Sequence, residues 1–349
     1  MKILGYSCLS SCGLGHEVFW KSLFEGKVNL APDRVFRIED SGFQSSKERM
    51  TSQLIQVFSH IRQQAPIESQ GLGIILSSTK GCTEDFVSSG AKNESDSIYP
   101  ILESFLESTQ LSPSKLACVS NACASSHGAF FLAELWLRTS QVKKVLVLAI
   151  DEVGPFILKG FQSLGALSKT SARPFAKNRD GLSLGEAAGG ILLSLEGSSD
   201  FEIESVCIET EGFSITRPSN DGRSLGSIVD KVVGNNEMSA IIAHGTATPF
   251  NDRTEDKVFS SRFPNVPITA AKWCVGHTLG ASGLMDTIAA LGVLKFQRIF
   301  AMARTEEIDP DFKAFYIRGG SLAMEVDRVL VTSLGFGGMQ AALVIGRAK

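Results

Sequence analysis

The run Asn121-Ala122-Cys123-Ala124-Ser125-Ser126-His127-Gly128 sets a thiol between the end of a short apolar stretch and the start of a long one. A thiol at or near a helix N-terminus meets aligned peptide dipoles and free N–H groups, which stabilise a thiolate. Ala122, Ala124, Ser125 and Ser126 are small enough to let a substrate reach the sulfur, and the same N–H groups suit a developing oxyanion. On its own the segment reads also as a buried cysteine in a packed turn. His127, four residues on, is a candidate base by sequence proximity alone, or a residue facing the core.

Two further histidines stand in comparable places. The apolar run Ala240–Ala243 delivers His244 to the carboxyl end of a strand, where open α/β sheets build their sites. Gly245, Thr246, Ala247, Thr248, Pro249, Phe250, Asn251 and Asp252 then form a tight polar loop. His277 lies in Lys272-Trp273-Cys274-Val275-Gly276-His277-Thr278-Leu279-Gly280-Ala281-Ser282-Gly283, whose glycines permit close backbone approach. The spacing fits neither a Walker motif nor a dinucleotide fingerprint. Leu334-Gly335-Phe336-Gly337-Gly338-Met339 reads by itself as a glycine-rich hairpin turn. In sequence order, a cysteine at a helix start, two loop histidines and a glycine-flanked Phe336 point to one acyl-transfer site.

The elements that must position these residues alternate between short apolar runs and longer helical patterns. Strands are expected at Lys2–Ser7, Gly71–Ser77, Lys115–Ser120, Lys144–Ile150, Gly190–Leu195, Phe201–Ile208, Ala240–Ala243, Val329–Ser333 and Ala341–Ile345. Several are apolar without alternation, which suits a mostly parallel sheet buried on both faces. Helices are expected near 47–64, 97–108, 124–139 and 283–297, giving an α/β architecture. The segments from Ala124 and from Gly283 are apolar nearly all round, and helices of that kind belong in an interior. Each follows a reactive-looking turn, a hint of two related halves. Residues 176–186 and 214–227 are polar and glycine-containing, as surface loops are.

With 349 residues, 43% hydrophobic and 20% charged, the chain can bury a large core. Its 34 basic and 37 acidic residues leave a net charge of −3, which gives no bulk attraction to nucleic acid or anionic membrane. No stretch is read as a membrane span. Cys8, Cys12, Cys82, Cys118, Cys123, Cys207 and Cys274 are scattered and form no CxxC pair, so zinc is not expected and reduced thiols in a cytoplasmic protein are. The start, Met1 to Cys8, is read as a first strand, because its apolar run is too short for a signal core.

Together these residues resemble the β-ketoacyl-acyl-carrier-protein synthases of the thiolase superfamily. The likeness runs from Cys12-Gly13-Leu14-Gly15 and Phe19–Gly26 through Cys123 and Leu164–Ser168. It continues through Arg173-Pro174-Phe175, Arg179-Asp180-Gly181 and Gly185-Glu186, then HGTxTxxND from His244 to Asp252, KxxxGHTxGASG from Lys272 to Gly283, and Gly335–Gly338. The resemblance implies a duplicated five-layer α-β-α-β-α fold, with an N-terminal half at 1–200 carrying the nucleophile and a C-terminal half at 201–349 carrying both histidines. It implies that Cys123 takes an acyl group from an acyl carrier protein, while His244 and His277 promote decarboxylation of a malonyl thioester. Neutral imidazoles suit that task. Lys272 is expected to pair with Glu255, since buried lysines need a partner. The N–H groups of Cys123 and Phe336 would form the oxyanion hole and the Phe336 ring a gate, with Thr246, Thr248, Asp252 and Gly337 in support. No metal or redox cofactor is implied, and a homodimer is.

Histidine at 277 distinguishes the chain from thiolases, which use a second cysteine there, and from initiating synthases, which use asparagine. The presence of Cys123 distinguishes it from chain-length factors. The chain is shorter than typical members upstream of Cys123, and Ala176, Leu182, Thr332, Met339 and Gln340 depart from the family pattern. Two other readings stay open: an accessory heterodimer subunit of another ketosynthase, and a non-elongating acyltransferase using the same cysteine. Acyl chain length and pathway are not legible in the sequence.

Overall fold

The computed structural model describes residues 1–31, 33–89 and 97–348. Ten strands carry the architecture. In the first half they are β1 (Lys2–Ser10), β2 (Leu72–Ser77), β3 (Lys115–Val119), β4 (Lys144–Asp151) and β5 (Ala187–Ser194). In the second they are β6 (Phe201–Thr210), β7 (Ala240–Ile242), β8 (Pro267–Thr269), β9 (Arg328–Gly335) and β10 (Met339–Arg347). Their spatial order is β3-β2-β4-β5-β1 and then, with the same pattern, β8-β7-β9-β10-β6. The two sets meet where β1 pairs with β6 at Lys2 and Glu202.

Within each set the three strands that feed helices run parallel: β3, β2 and β4 in one, β8, β7 and β9 in the other. The others run antiparallel, β4 with β5, β5 with β1, β9 with β10 and β10 with β6. The sheets are therefore mixed rather than mostly parallel. The unbroken apolar runs arise from helices covering both faces, whatever the strand direction.

Five helices complete the layers: α1 (Ser46–Gln64), α2 (Ser125–Arg138), α3 (Arg223–Val233), α4 (Pro249–Arg262) and α5 (Ser282–Phe296). Helix α1 starts where the Ser45 hydroxyl accepts the Glu48 N–H at 3.1 Å, an N-cap, and it covers β1, β4 and β5 from outside. Helix α3 buries Leu225, Ile228, Val229 and Val232 in one stripe against β6 and β10. Between the sheets, α2 packs on β2, β3 and β4 of one half and on β6 and β10 of the other. Helix α5 likewise touches β1 and β5 as well as β7, β9 and β10. Helix, sheet, helix, sheet, helix: the expected five layers are present.

Three expectations need correction. Helix α2 is not wholly interior: Phe131 and Leu135 are 45% and 47% exposed. Helix α2 packs in part on β3, which among the described residues is an edge strand. Residues 176–186 are a surface loop only in part: Lys177, Asn178 and Asp180 are exposed, whereas Leu182, Ser183, Leu184 and Glu186 are buried. A Cβ on Gly185 would come within 1.9 Å of the Val275 carbonyl, so this loop lies flat against the His277 segment. Of 214–227, the residues from Arg223 belong to α3. Finally, among the described residues Leu279–Phe296 is long and apolar enough to cross a membrane, yet 89% of it is buried in the protein. Its uniform hydrophobicity reflects apolar neighbours on all sides between the sheets.

Candidate active site

Cys123 occupies a tight elbow between β3 and α2. Ala122 adopts a left-handed φ of 49°, which reverses the chain within three residues of the helix start. The Asn121 N–H donates to the Ser125 hydroxyl at 2.9 Å, and that hydroxyl donates to the Ala122 carbonyl at 2.6 Å. The hairpin between β9 and β10 closes over the elbow. A Cβ at Gly335 would stand 3.1 Å from the Cys123 nitrogen, so a side chain there would press into the Cys123 backbone. Ser333 donates its hydroxyl to the Cys123 carbonyl at 3.2 Å. Burial pushes this thiol up to about 11, against the pull of the Phe336 N–H and of the Lys272 charge. The resting thiol is therefore protonated at neutral pH, in spite of its place at the helix start.

His244 follows β7, and its loop is held by one carboxylate. Glu255, fully buried on α4, accepts the N–H groups of His244 and Gly245 at 2.8 Å each. It also accepts the Thr332 hydroxyl at 2.7 Å and the Asn251 amide at 2.8 Å. Four donors satisfy it, so it has no need of a lysine. The expected Lys272–Glu255 pair is absent, and Lys272 Nζ instead meets Asp286 on α5 at 2.7 Å, both side chains buried. Thr332, a departure from the family pattern, keeps the loop's hydrogen bonding complete. Asp252, next to Asn251, accepts the Phe175 N–H at 2.7 Å and the Ala247 N–H at 3.2 Å, tying the His244 loop to the loop that runs on from Phe175. Burial pushes Asp252 up to about 7.

His277 sits 5.2 Å from His244, ring centre to ring centre, with the planes nearly perpendicular. Its Nδ1 accepts the Leu279 N–H at 3.2 Å and lies 2.8 Å from the Ser282 hydroxyl. A backbone N–H can only donate, so Nδ1 is unprotonated and the neutral ring carries its proton on Nε2. Burial, and then the Lys272 charge, hold His277 at about 3 and His244 well below its ordinary value. Both imidazoles are thus neutral at working pH.

Cys123, His244 and His277 line one cavity of about 560 Å³. Thr246, Thr248, Asn251, Leu182, Phe336, Met339 and Gln340 line it too. The Thr246 and Thr248 hydroxyls are 2.9 Å apart at its wall. The Phe336 ring stacks on Phe161 at 5.7 Å. Gly337, at φ 79°, donates its N–H to the Ile215 carbonyl at 2.7 Å and so fixes the turn behind Phe336. Ala176 stays off the cavity wall, where its carbonyl accepts the Arg179 guanidinium at 2.9 Å. His127 is buried on α2 near Phe130 and Gly283 and does not line the cavity, so its candidacy as a base falls away.

Two residues escaped the sequence reading. Asp286 is the one charge inside the apolar stretch Ser282–Leu294, and that isolation was a signal of a buried partner. Asp151 ends the apolar strand β4. It accepts the Gly280 N–H at 2.7 Å, the Thr79 N–H at 2.9 Å and the Ser78 hydroxyl at 2.8 Å, holding the turn after His277 against the first half. A lone acid at a buried strand's carboxyl end was the available clue.

Two outcomes follow from these charges. Alkylation of Cys123 by iodoacetamide, followed by peptide mass mapping, is expected to accelerate about tenfold per pH unit from 7 to 10, because only the thiolate reacts. A rate already flat above pH 7 would contradict a raised thiol. In urea unfolding, Lys272→Met is expected to cost about 3–5 kcal/mol by stranding Asp286. The double variant Lys272→Met with Asp286→Met is expected to recover most of that loss.

Family models of the β-ketoacyl synthase N-terminal and C-terminal domains match residues 115–197 and 201–305, together more than half of the chain. A 3-oxoacyl-[acyl-carrier-protein] synthase 2 of Synechocystis is 28% identical over 249 residues, 65% of this chain and 60% of that one. The tetracenomycin polyketide synthase ketoacyl synthase alpha subunit of Streptomyces glaucescens is 28% identical over 254 residues, 66% of this chain and 60% of that one. The match thus spans about 60% of the length of these curated relatives. A chain of the ketosynthase–chain length factor complex from Xenorhabdus doucetiae superposes with a TM-score of 0.86 at 20% identity, covering 99% of this chain and 98% of that one.

Proposed function

The chain belongs to the β-ketoacyl synthase family, and from that premise we propose that it catalyses decarboxylative condensation of a Cys123-bound acyl group with a malonyl thioester. The observation that carries the reading is the convergence on one cavity of a nucleophilic thiol and two imidazoles held neutral. In the first half-reaction the Cys123 sulfur attacks the carbonyl of an acyl thioester on an acyl carrier protein. The oxyanion meets the N–H groups of Cys123 and Phe336, the carrier thiol leaves with the proton, and the acyl group remains on the sulfur. Phe336, stacked on Phe161 at the cavity wall, would gate the acyl chain's entry.

In the second half-reaction a malonyl thioester enters, its carrier arm beside Thr246 and Thr248. The Nε2–H of His277 donates to the thioester oxygen, as does His244, whose Nδ1 has no protein partner and leaves its tautomer free to adjust. These donors stabilise the enolate left as carbon dioxide departs. The enolate carbon then attacks the acyl–sulfur carbonyl, and Cys123 leaves as the β-ketoacyl thioester forms. The neutral state of the rings matters because an imidazolium would also attract, and so stabilise, the carboxylate that must be lost.

Incubation with acyl- and malonyl-carrier protein is expected to give a β-ketoacyl product by mass spectrometry. Cys123→Ala is expected to abolish that product while malonyl decarboxylation continues. His244→Ala and His277→Ala are expected to slow decarboxylation at least about 100-fold. Product formation by Cys123→Ala would overturn the nucleophile. Acyl transfer without chain extension by the parent protein would favour the non-elongating reading.

We further propose that the exposed flank of α2 and the edge of β3 meet a second copy of the chain. Phe131 and Leu135, nearly half exposed on a helix that packs in part on the edge strand β3, support this. Sedimentation is expected to give a dimer for the isolated chain and a monomer for Phe131→Asp with Leu135→Lys. A monomeric parent would point instead to a different partner subunit.

A further inference from the structure

Outside the cavity, two cysteines far apart in sequence meet. Cys12, in the turn after β1, has its sulfur 3.8 Å from that of Cys274, which lies in the short helix Lys272–Val275. The gap is about 1.8 Å more than a disulfide bond. The two thiols differ in kind. Cys12 is partly exposed, whereas Cys274 is fully buried and leans on the Lys27 carbonyl at 3.4 Å. The contact with Cys274 is the first cause that brings Cys12 down to about 7 in spite of partial burial. Cys274 is pushed well above its ordinary value by burial and then by Cys12 itself, so it stays a thiol and a donor. A partly exposed thiol lowered toward neutral pH and set against a second sulfur is the arrangement in which an oxidised first thiol is resolved by its neighbour.

We propose that Cys12 and Cys274 form an oxidisable dithiol that closes to an intramolecular disulfide under peroxide, ahead of the nucleophile Cys123. The Cys12 thiolate attacks the peroxide O–O bond, giving a sulfenic acid and one water after proton uptake. The Cys274 sulfur then attacks that sulfenic sulfur, its proton leaving with the displaced hydroxide as a second water. Both sulfurs are oxidised by one equivalent each and one peroxide is reduced to two waters. The closing motion falls to the Cys12 side, because its turn is flanked by Gly13 and Gly15 at positive φ while Cys274 is packed in the core. The bond would tether the turn after β1 to the helix whose first residue is Lys272. Selectivity over Cys123 follows from exposure and ionisation: Cys12 is partly exposed and lowered to about 7, whereas Cys123 is buried and held up at about 11.

The test is treatment of the reduced full chain with a small molar excess of hydrogen peroxide at pH 7, then thiol counting and peptide mapping without reductant. The expected result is loss of two of the seven thiols, a Cys12–Cys274 cross-linked peptide, and Cys123 still open to later alkylation. Cys274→Ser, which keeps Cys12 at the surface, is expected to stop at a Cys12 sulfenic acid trapped by dimedone. Cys12→Ser is expected to retain its remaining thiols under the same dose. A cross-link between other cysteines, or oxidation of Cys123 before Cys12, would overturn the proposal. Circular dichroism of both variants separates misfolding from loss of the pair.

Discussion

The Lys272 ammonium, shut away from water and held 2.7 Å from Asp286, is the charge on which the chemistry of the cavity depends. It sits close enough to lower Cys123, His127, His244 and His277 together. For the histidines its effect adds to burial, and the two causes keep both rings neutral. For the thiol they oppose each other, and burial prevails. Burial and one cation together thus leave neutral imidazoles and a protonated thiol around the cavity. That cation is itself tolerable only because α5, otherwise apolar, contributes one carboxylate at the right place.

Carboxylates do the complementary work on the backbone. Glu255 gathers the His244 loop, Asp252 joins that loop to the Phe175 segment, and Asp151 joins the His277 turn to the strand ends of the first half. Each is buried and each accepts main-chain N–H groups, so loops from both halves are fixed without helices of their own. Backbone approach at Gly185 and Gly335 then brings these loops to contact distance. The rigidity needed to hold two imidazoles 5.2 Å apart comes from these buried acceptors rather than from the sheets alone.

Much of this was legible before any coordinates. The nine expected strands all occur, and the four helical segments match helices within a residue or two, because unbroken apolar runs and 3.6-residue stripes are local signals. Cys123, His244, His277 and Phe336 come together as their order implied. What failed was partnership. Glu255 and Asp286 are both buried acids, and sequence spacing carries no information on which faces Lys272; only the positions of α4 and α5 decide it. Residues 176–186 look polar and glycine-containing throughout, yet only Lys177, Asn178 and Asp180 are exposed, while 181–186 are buried because their polar groups and glycines serve close backbone packing rather than hydration. The exposed flank of α2 was hidden for a related reason: an apolar helix reads the same whether a sheet or a second chain covers it.

The raised Cys123 thiol sharpens the role of the helix start. If the N–H groups at the elbow were fully engaged in stabilising a resting thiolate, they would lower the ground state along with the transition state, and little acceleration would follow. Here the sulfur rests neutral, so under the proposed reaction the same groups remain available for charge that would appear only as a thioester carbonyl is attacked. A buried, protonated nucleophile is in this sense consistent with an acyl anchor: its surroundings favour the developing charge of the reaction over the standing charge of a free thiolate.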